Sequence, residues 1–244
     1  MSIVKRILNT CNISFKSNNH LCDPCIRGKH HQLPFHKSDT HYTHPLQLVF
    51  IDIWGPAPVC ASNGAKYYMS FLDATTRYTW LFLLHQKSQA LDMLICFKQF
   101  AENQTGFKLC VIQSDNAKEF ICFKPFTQKF GILHRFTCPH THEQNGSIER
   151  KHRHITDMGL TLLVAASLPI KFWGEAFTTT VHIINILPTP VLSNKTPHAS
   201  LFNIEPDYRT LKTFGCACYP LLRPYNQHKL DFKSTCCLFL GYST

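Results

Sequence analysis

Apolar positions along the chain follow two periods, and the change from one to the other marks the predicted elements. Short runs rich in aliphatic, β-branched and aromatic residues predict strands at 46–53, 67–72, 78–84, 108–114 and 132–137. The second and third runs flank Asp73-Ala74-Thr75-Thr76-Arg77, which reads as a hairpin turn. Helical spacing predicts helices at 88–103, with Ser88 as N-cap and Gly106 beyond its end, at 123–130 before Gly131, and at 145–166 and 170–187. The order β-β-β-α-β-α-β-α-α implies a mixed sheet flanked by helices.

The two ends of the chain differ from this block. Residues 1–45 lack apolar periodicity and are rich in His, Asn, Ser and Lys, so they read as a small appendage and linker. After Pro188 the prolines at 190, 197 and 206 punctuate a linker with one short helix near 198–203. Strands are predicted at 211–219 and 236–242, as the start of a small β module. No internal repeat is visible.

Composition narrows the function. With 44% hydrophobic residues in 244, a packed core is expected. The net charge of +10 fits a nucleic-acid partner better than an acidic metabolite. The longest apolar-rich segment, 160–169, is too short to cross a bilayer, so no membrane partner is expected. Twelve cysteines without a signal-peptide pattern imply an intracellular, reducing setting with free thiols.

Three acids carry the candidate chemistry. Asp52 closes the run LQLVFID, Asp115 closes LCVIQSD, and Glu149 opens the basic helical stretch SIERKHRH. Strand-borne aspartates and a helix-borne glutamate, brought together, form an all-oxygen site suited to magnesium. Arg150, Lys151 and Arg153 follow Glu149 at once, with Arg153 at i+4 on its helix face. They are the candidate phosphate contacts, beside Asn145 at the start of the helix. Taken singly, each aspartate could equally cap a turn, and Glu149 could be a first-turn helix acid paired with Arg153.

The same residues resemble the integrase region of copia-type long-terminal-repeat retrotransposon Pol polyproteins. The motifs are CDPCIRGKHHQLPFH at 22–36, LVFIDIWGP at 48–56, FLDATTRYTWLFLL at 71–84, QSDNAKEF at 113–120, QNGSIERKHRHI at 144–155, and the stretch 211–242. The resemblance implies an α/β, RNase H-like five-stranded mixed sheet over 39–205. It implies a remnant of a zinc-binding segment at 1–38 and a partial small β-barrel at 206–244. It further implies that Asp52, Asp115 and Glu149 are catalytic and bind two magnesium (or manganese) ions, and that the loop before the Glu149 helix contacts the DNA end. The expected partners are element-end and target DNA and further copies of the chain, with no small-molecule substrate, and the expected location is the nucleus.

The chain departs from the family in places. The stretch between Asp115 and Glu149 is slightly short, and Ala117 and Lys118 stand where glycines are usual. If either position needs positive φ, the turn beside Asp115 is strained. Cys22 and Cys25 are the only members of a zinc set in family register. Because the upstream histidine pair is missing, no zinc is expected.

Other residues are read more plainly. Trp54, Trp80 and Trp173 are expected in the core rather than as base-stacking platforms. His140, His142, His152 and His154 are expected to face solvent or DNA, and Cys138 to be a small buried hydrophobe. No Gly-x-Ser-x-Gly motif supports a serine nucleophile. Three functional alternatives remain open: a DNA-binding relic without chemistry, a zinc-dependent adaptor, and a nuclease for RNA–DNA hybrids.

Overall fold

A computed structural model describes residues 42–138, 145–225 and 232–242, together with positions 28, 40, 228 and 230. The chain divides into two compact units, Met1–Thr40 and His41–Thr244. Cys22 and Cys25, His140 and His142 lie outside the described residues. The sheet and the helices around it all belong to the second unit.

Five strands form one sheet: β1 (Val49–Trp54), β2 (Tyr67–Asp73), β3 (Thr79–Leu84), β4 (Val111–Ser114) and β5 (Leu133–Phe136). Their order is β3-β2-β1-β4-β5. β1 and β2, and β2 and β3, are antiparallel; β4 runs parallel to β1 and to β5. Helix α1 (Ala90–Thr105) makes the crossover between β3 and β4. Helices α2 (Lys118–Ile121) and α3 (Lys124–Phe130) connect β4 to β5. Helices α4 (Gly146–Ala165), α5 (Trp173–Ile186) and α6 (Pro197–Phe202) follow the sheet. This is the mixed, helix-flanked sheet that the apolar pattern predicts.

The period of two in the strands decides what each face carries. Val49 and Ile51 of β1, and Met69 and Phe71 of β2, pack with Leu94, Phe97 and Ala101 of α1. The alternate positions turn the other way. Tyr68 of β2 joins Ile155 and Leu163 of α4 and Trp173, Phe177 and Val181 of α5, with Trp54 of β1 packed against them. Asp52 lies between Phe50 and Trp54 in this alternation and therefore belongs to the α4 side.

Two local devices fix the helices on that side. Gly159 of α4 sits so close to Phe177 of α5 that a Cβ there would lie 2.3 Å from a ring carbon. Asn185 of α5 is buried against the free edge of β3, where its Oδ1 accepts from the Thr79 amide at 2.9 Å. Its Nδ2 donates to the Thr79 carbonyl at 2.8 Å. The amide side chain thus serves the edge strand in place of a sixth strand.

Several boundaries and roles differ from expectation. Leu46 takes φ 60°, so β1 starts later than predicted and runs past Asp52 to Trp54. Asp52 is therefore inside a strand rather than at its end. Ser88 does not cap α1: a 3-10 turn, Lys87–Gln89, leads into the helix, and Ser88 Oγ bonds Gln86 Oε1 instead. Cys138 is exposed, because the chain leaves the sheet just after β5. The C-terminal strands shrink to β6 (Ala217–Cys218) and β7 (Cys237–Leu238), an antiparallel pair. They pack on the α4–α5 side through Phe214 and Leu240, and Tyr242 stacks on His182. Trp80 and Trp173 are buried and Trp54 stacks on Tyr68, in line with core roles for all three.

Candidate active site

Asp52 occupies the centre of the sheet, in register with Ser70 of β2. Glu149 stands in the first turn of α4. The two acids line one open cavity of about 470 Å³ with Trp54, Gly55, Pro56 and His152. Asp115 directly follows β4, the parallel neighbour of β1. Burial is the main cause that pushes its carboxyl above the ordinary range, and the negative charges of Asp52 and Glu119 push the same way. Asp52 thus shares a cavity with Glu149 and is felt electrostatically by Asp115. Among the described residues, no group of three or more His, Cys, Asp or Glu side chains is gathered tightly enough to hold a metal ion as it stands.

The support around these acids is specific. His152 Nε2 lies 3.2 Å from Asp52 Oδ2 and 3.3 Å from Ser70 Oγ, while Nδ1 lies 2.8 Å from the Tyr68 hydroxyl. A carboxylate only accepts, so the arrangement selects the ring with its proton on Nε2. With the ring neutral, Tyr68 donates to Nδ1. Tyr68 is fully buried, and burial, reinforced by the Asp52 charge, raises its hydroxyl pKa far above the usual phenol value. It therefore keeps its proton, and so its ability to donate, at any working pH. On the Asp115 side, the Ala117 amide donates to Asp115 Oδ1 at 3.0 Å. Lys87 pairs at 2.7 Å with Glu119, an acid whose charge also reaches Asp115.

Sequence reasoning misses His152. The sequence places it facing solvent or DNA, whereas it is buried in the seam between α4 and the sheet. The signal is present in the helix itself. The buried positions of α4 include Ile148, His152, Ile155, Gly159 and Leu163, a helical stripe in which His152 occupies an inward position. Its i+3 spacing from Glu149 also brings it to the acid cavity. The tyrosine and serine partners carry no such signal, since they come from β2.

The remaining candidates fall in different places. Arg153 is exposed, one turn beyond Glu149. Arg150 and Lys151 line a second cavity, not the one holding the acids. Asn145 is the N-cap position of α4 but makes no side-chain cap bond. It is buried, with Oδ1 unpaired among the described residues, so it is not displayed to a ligand in this arrangement. Ala117 has φ −65° and ψ 146°, and Lys118 opens α2. Neither position uses positive φ, so the missing glycines leave the turn beside Asp115 unstrained.

A five-stranded mixed sheet in this order, with a central-strand aspartate facing a helix-borne glutamate, defines the RNase H-like class. The fold is similar to a chain of the simian T-cell lymphotropic virus intasome, solved in complex with PP2A regulatory subunit B56 gamma. The TM-score is 0.58 at 18% identity, over 82% of this chain and 71% of that one. Residues 42–142 match the Integrase core domain family, and residues 216–244 match the Retroviral polymerase SH3-like domain. The chain is 44% identical, over 99% of its length, to the retrovirus-related Pol polyprotein from transposon RE1 of Arabidopsis thaliana. It is 35% identical, over 91% of its length, to the corresponding polyprotein from transposon TNT 1-94 of Nicotiana tabacum. It spans 17% of each of these curated relatives. These matches agree with the copia-type integrase region that the chain's motifs imply.

Proposed function

We propose that the chain is the DNA-joining core of a retrotransposon integrase. It would trim the element's DNA ends and transfer the freed 3′-hydroxyls to target DNA in the nucleus. Asp52, Asp115 and Glu149 are the acids that would hold two divalent cations, magnesium or manganese. The observation that carries this reading is the position of Asp52, inside the central strand and turned toward α4, where it shares a cavity with Glu149 and its charge adds to the burial that raises the pKa of Asp115.

The donor set fits a hard cation. All three candidates are carboxylates, and the Asp52–Asp115 repulsion is a cost that a cation would relieve. Divalent cations there would neutralise phosphodiester charge and activate an oxygen nucleophile. The chain's own groups have narrower tasks. His152, anchored by Tyr68, orients the Asp52 carboxylate, and the Ala117 amide orients Asp115. Arg153 stands within one turn of Glu149 to meet a DNA phosphate. Contacts of this kind read backbone rather than base, so weak target-sequence preference is expected. Joining two DNA ends also calls for more than one copy of the chain.

A disintegration assay on a branched DNA substrate tests the reading with the core alone. Wild-type protein is expected to resolve the branch in magnesium or manganese, and Asp115→Asn and Glu149→Gln to lose that activity. A folded, DNA-binding wild-type chain with no activity in either metal would instead make it a relic.

A further inference from the structure

The second cavity lies around the helix from the acids. At about 100° per residue, Arg150, Lys151 and His154 stand roughly 100–200° around α4 from Glu149, whereas His152 and Arg153 stay within about 60° of it. Arg150, Lys151, His154 and Ser147 of α4 meet Arg77, from the β2–β3 turn, in a cavity of about 360 Å³. The opposite wall is apolar, built from Ile184 and Leu187 at the end of α5 and Pro188, Pro190, Val191 and Pro197 beyond it.

Among the described residues, no acidic side chain lines this cavity. Among the described residues, Arg77, Arg150 and Lys151 make no ion pair. Cations brought together destabilise one another, and the effect grows with burial. It is visible on Arg77, the guanidinium that the β2–β3 turn brings to the cavity. Burial, then the Arg150 charge, lowers the pKa of Arg77, although Asp73 opposes them. A fold that holds such groups converging on one space has a site whose strain an anion would relieve. The guanidinium forks and the ammonium suit a tetrahedral oxyanion, and the first turn of the 20-residue helix α4 adds the favourable end of its dipole.

We propose that this cavity binds a phosphoryl group through Arg77, Arg150 and Lys151, as a site separate from the acids. The group comes either from a nucleic-acid backbone that wraps past α4 or from a free polyphosphate. The site does not depend on what the acids hold, so it stands or falls independently of the integrase reading.

The test uses the whole chain and the variants Arg77→Gln, Arg150→Gln and Lys151→Met, with two probes: inorganic tripolyphosphate and a short DNA duplex. Thermal melting without ligand checks each fold. Since each substitution removes a like charge, the variants are expected to melt no lower than wild type. Charge-assisted contacts to an anion are worth about 1.5–3 kcal/mol each, so each variant is expected to bind about tenfold or more weakly to the probe that occupies the cavity. If tripolyphosphate raises the wild-type melting temperature and the variants lose that rise while DNA affinity is unchanged, a free polyphosphate is the ligand. If DNA affinity falls and the salt slope drops by about one per substitution, the ligand is a backbone phosphate. Folded variants that bind both probes as wild type does would overturn the proposal.

Discussion

Tyr68, His152 and Asp52 form a chain of contacts whose energetic coupling can be worked out from the structure. Replacing His152 with Leu keeps most of the side-chain volume but strips the Tyr68 hydroxyl of its partner at 2.8 Å. That hydroxyl is fully buried, and an unsatisfied buried polar group costs about 1–3 kcal/mol. Tyr68→Phe leaves the ring in its stack on Trp54 and its edge contact with Phe177. It loses one hydrogen bond, about 1 kcal/mol. In the double variant the orphaned tyrosine hydroxyl is gone, while the loss at Ser70 is common to both proteins that lack His152, so its cost is expected to fall short of the sum of the single costs by about 1–2 kcal/mol. For a unit of this size, His152→Leu should lower Tm by roughly 2–4 °C per kcal/mol lost. Denaturant unfolding of the four proteins in metal-free buffer measures the cycle. Additivity to within about 0.3–0.5 kcal/mol would refute the coupling, and with it the role of Tyr68 in fixing His152 against Asp52.

Three further predictions concern the frame and the charge of the site. Gly159→Ala should lower stability by about 1–3 kcal/mol despite alanine's better helix propensity, because the new methyl meets Phe177; a higher Tm would sink this account of α4–α5 packing. Asp73 accepts from the Leu46 amide, the Thr76 amide and the Thr76 hydroxyl at 2.7–2.9 Å. Asp73→Ala should therefore cost about 3 kcal/mol or more through stranded buried donors, with faster hydrogen exchange at the Leu46 and Thr76 amides as the local sign. The raised carboxyl pKa of Asp115, caused by burial and then by Asp52, sets a pH dependence. The stabilisation this group offers is complete below its ordinary value and is lost as pH rises through the raised one. In metal-free buffer the Tm of Asp115→Asn minus that of wild type should thus grow from about pH 4 toward neutrality; a difference that shrinks over that range would contradict the assigned electrostatics.

Much of this protein is determined by its sequence alone, because the governing interactions are local. Alternation in VFIDIW and YYMSFLD specifies strands, and helical spacing in Gly146–Ala165 specifies a helix. The order of those elements leaves few sheets to choose from. The acids at 52, 115 and 149 can be singled out for the same reason, since each stands at a recognisable place in its own element. Which groups meet is decided only by the tertiary structure. Period two sends Asp52 to one face, yet only the antiparallel register of β1 on β2 sets Ser70 opposite Asp52 and Tyr68 opposite Trp54. Only the docking of α4 then brings His152 between Tyr68 and Asp52. The basic run after Glu149 reads as one patch along the sequence. Helical rotation divides it, leaving Arg153 near the acids and carrying Arg150 and Lys151 around to meet Arg77, 73 positions before Arg150 in the chain. Long-range pairings of this kind depend on how apolar stripes pack against one another, and that is a property of the assembled core rather than of any single segment.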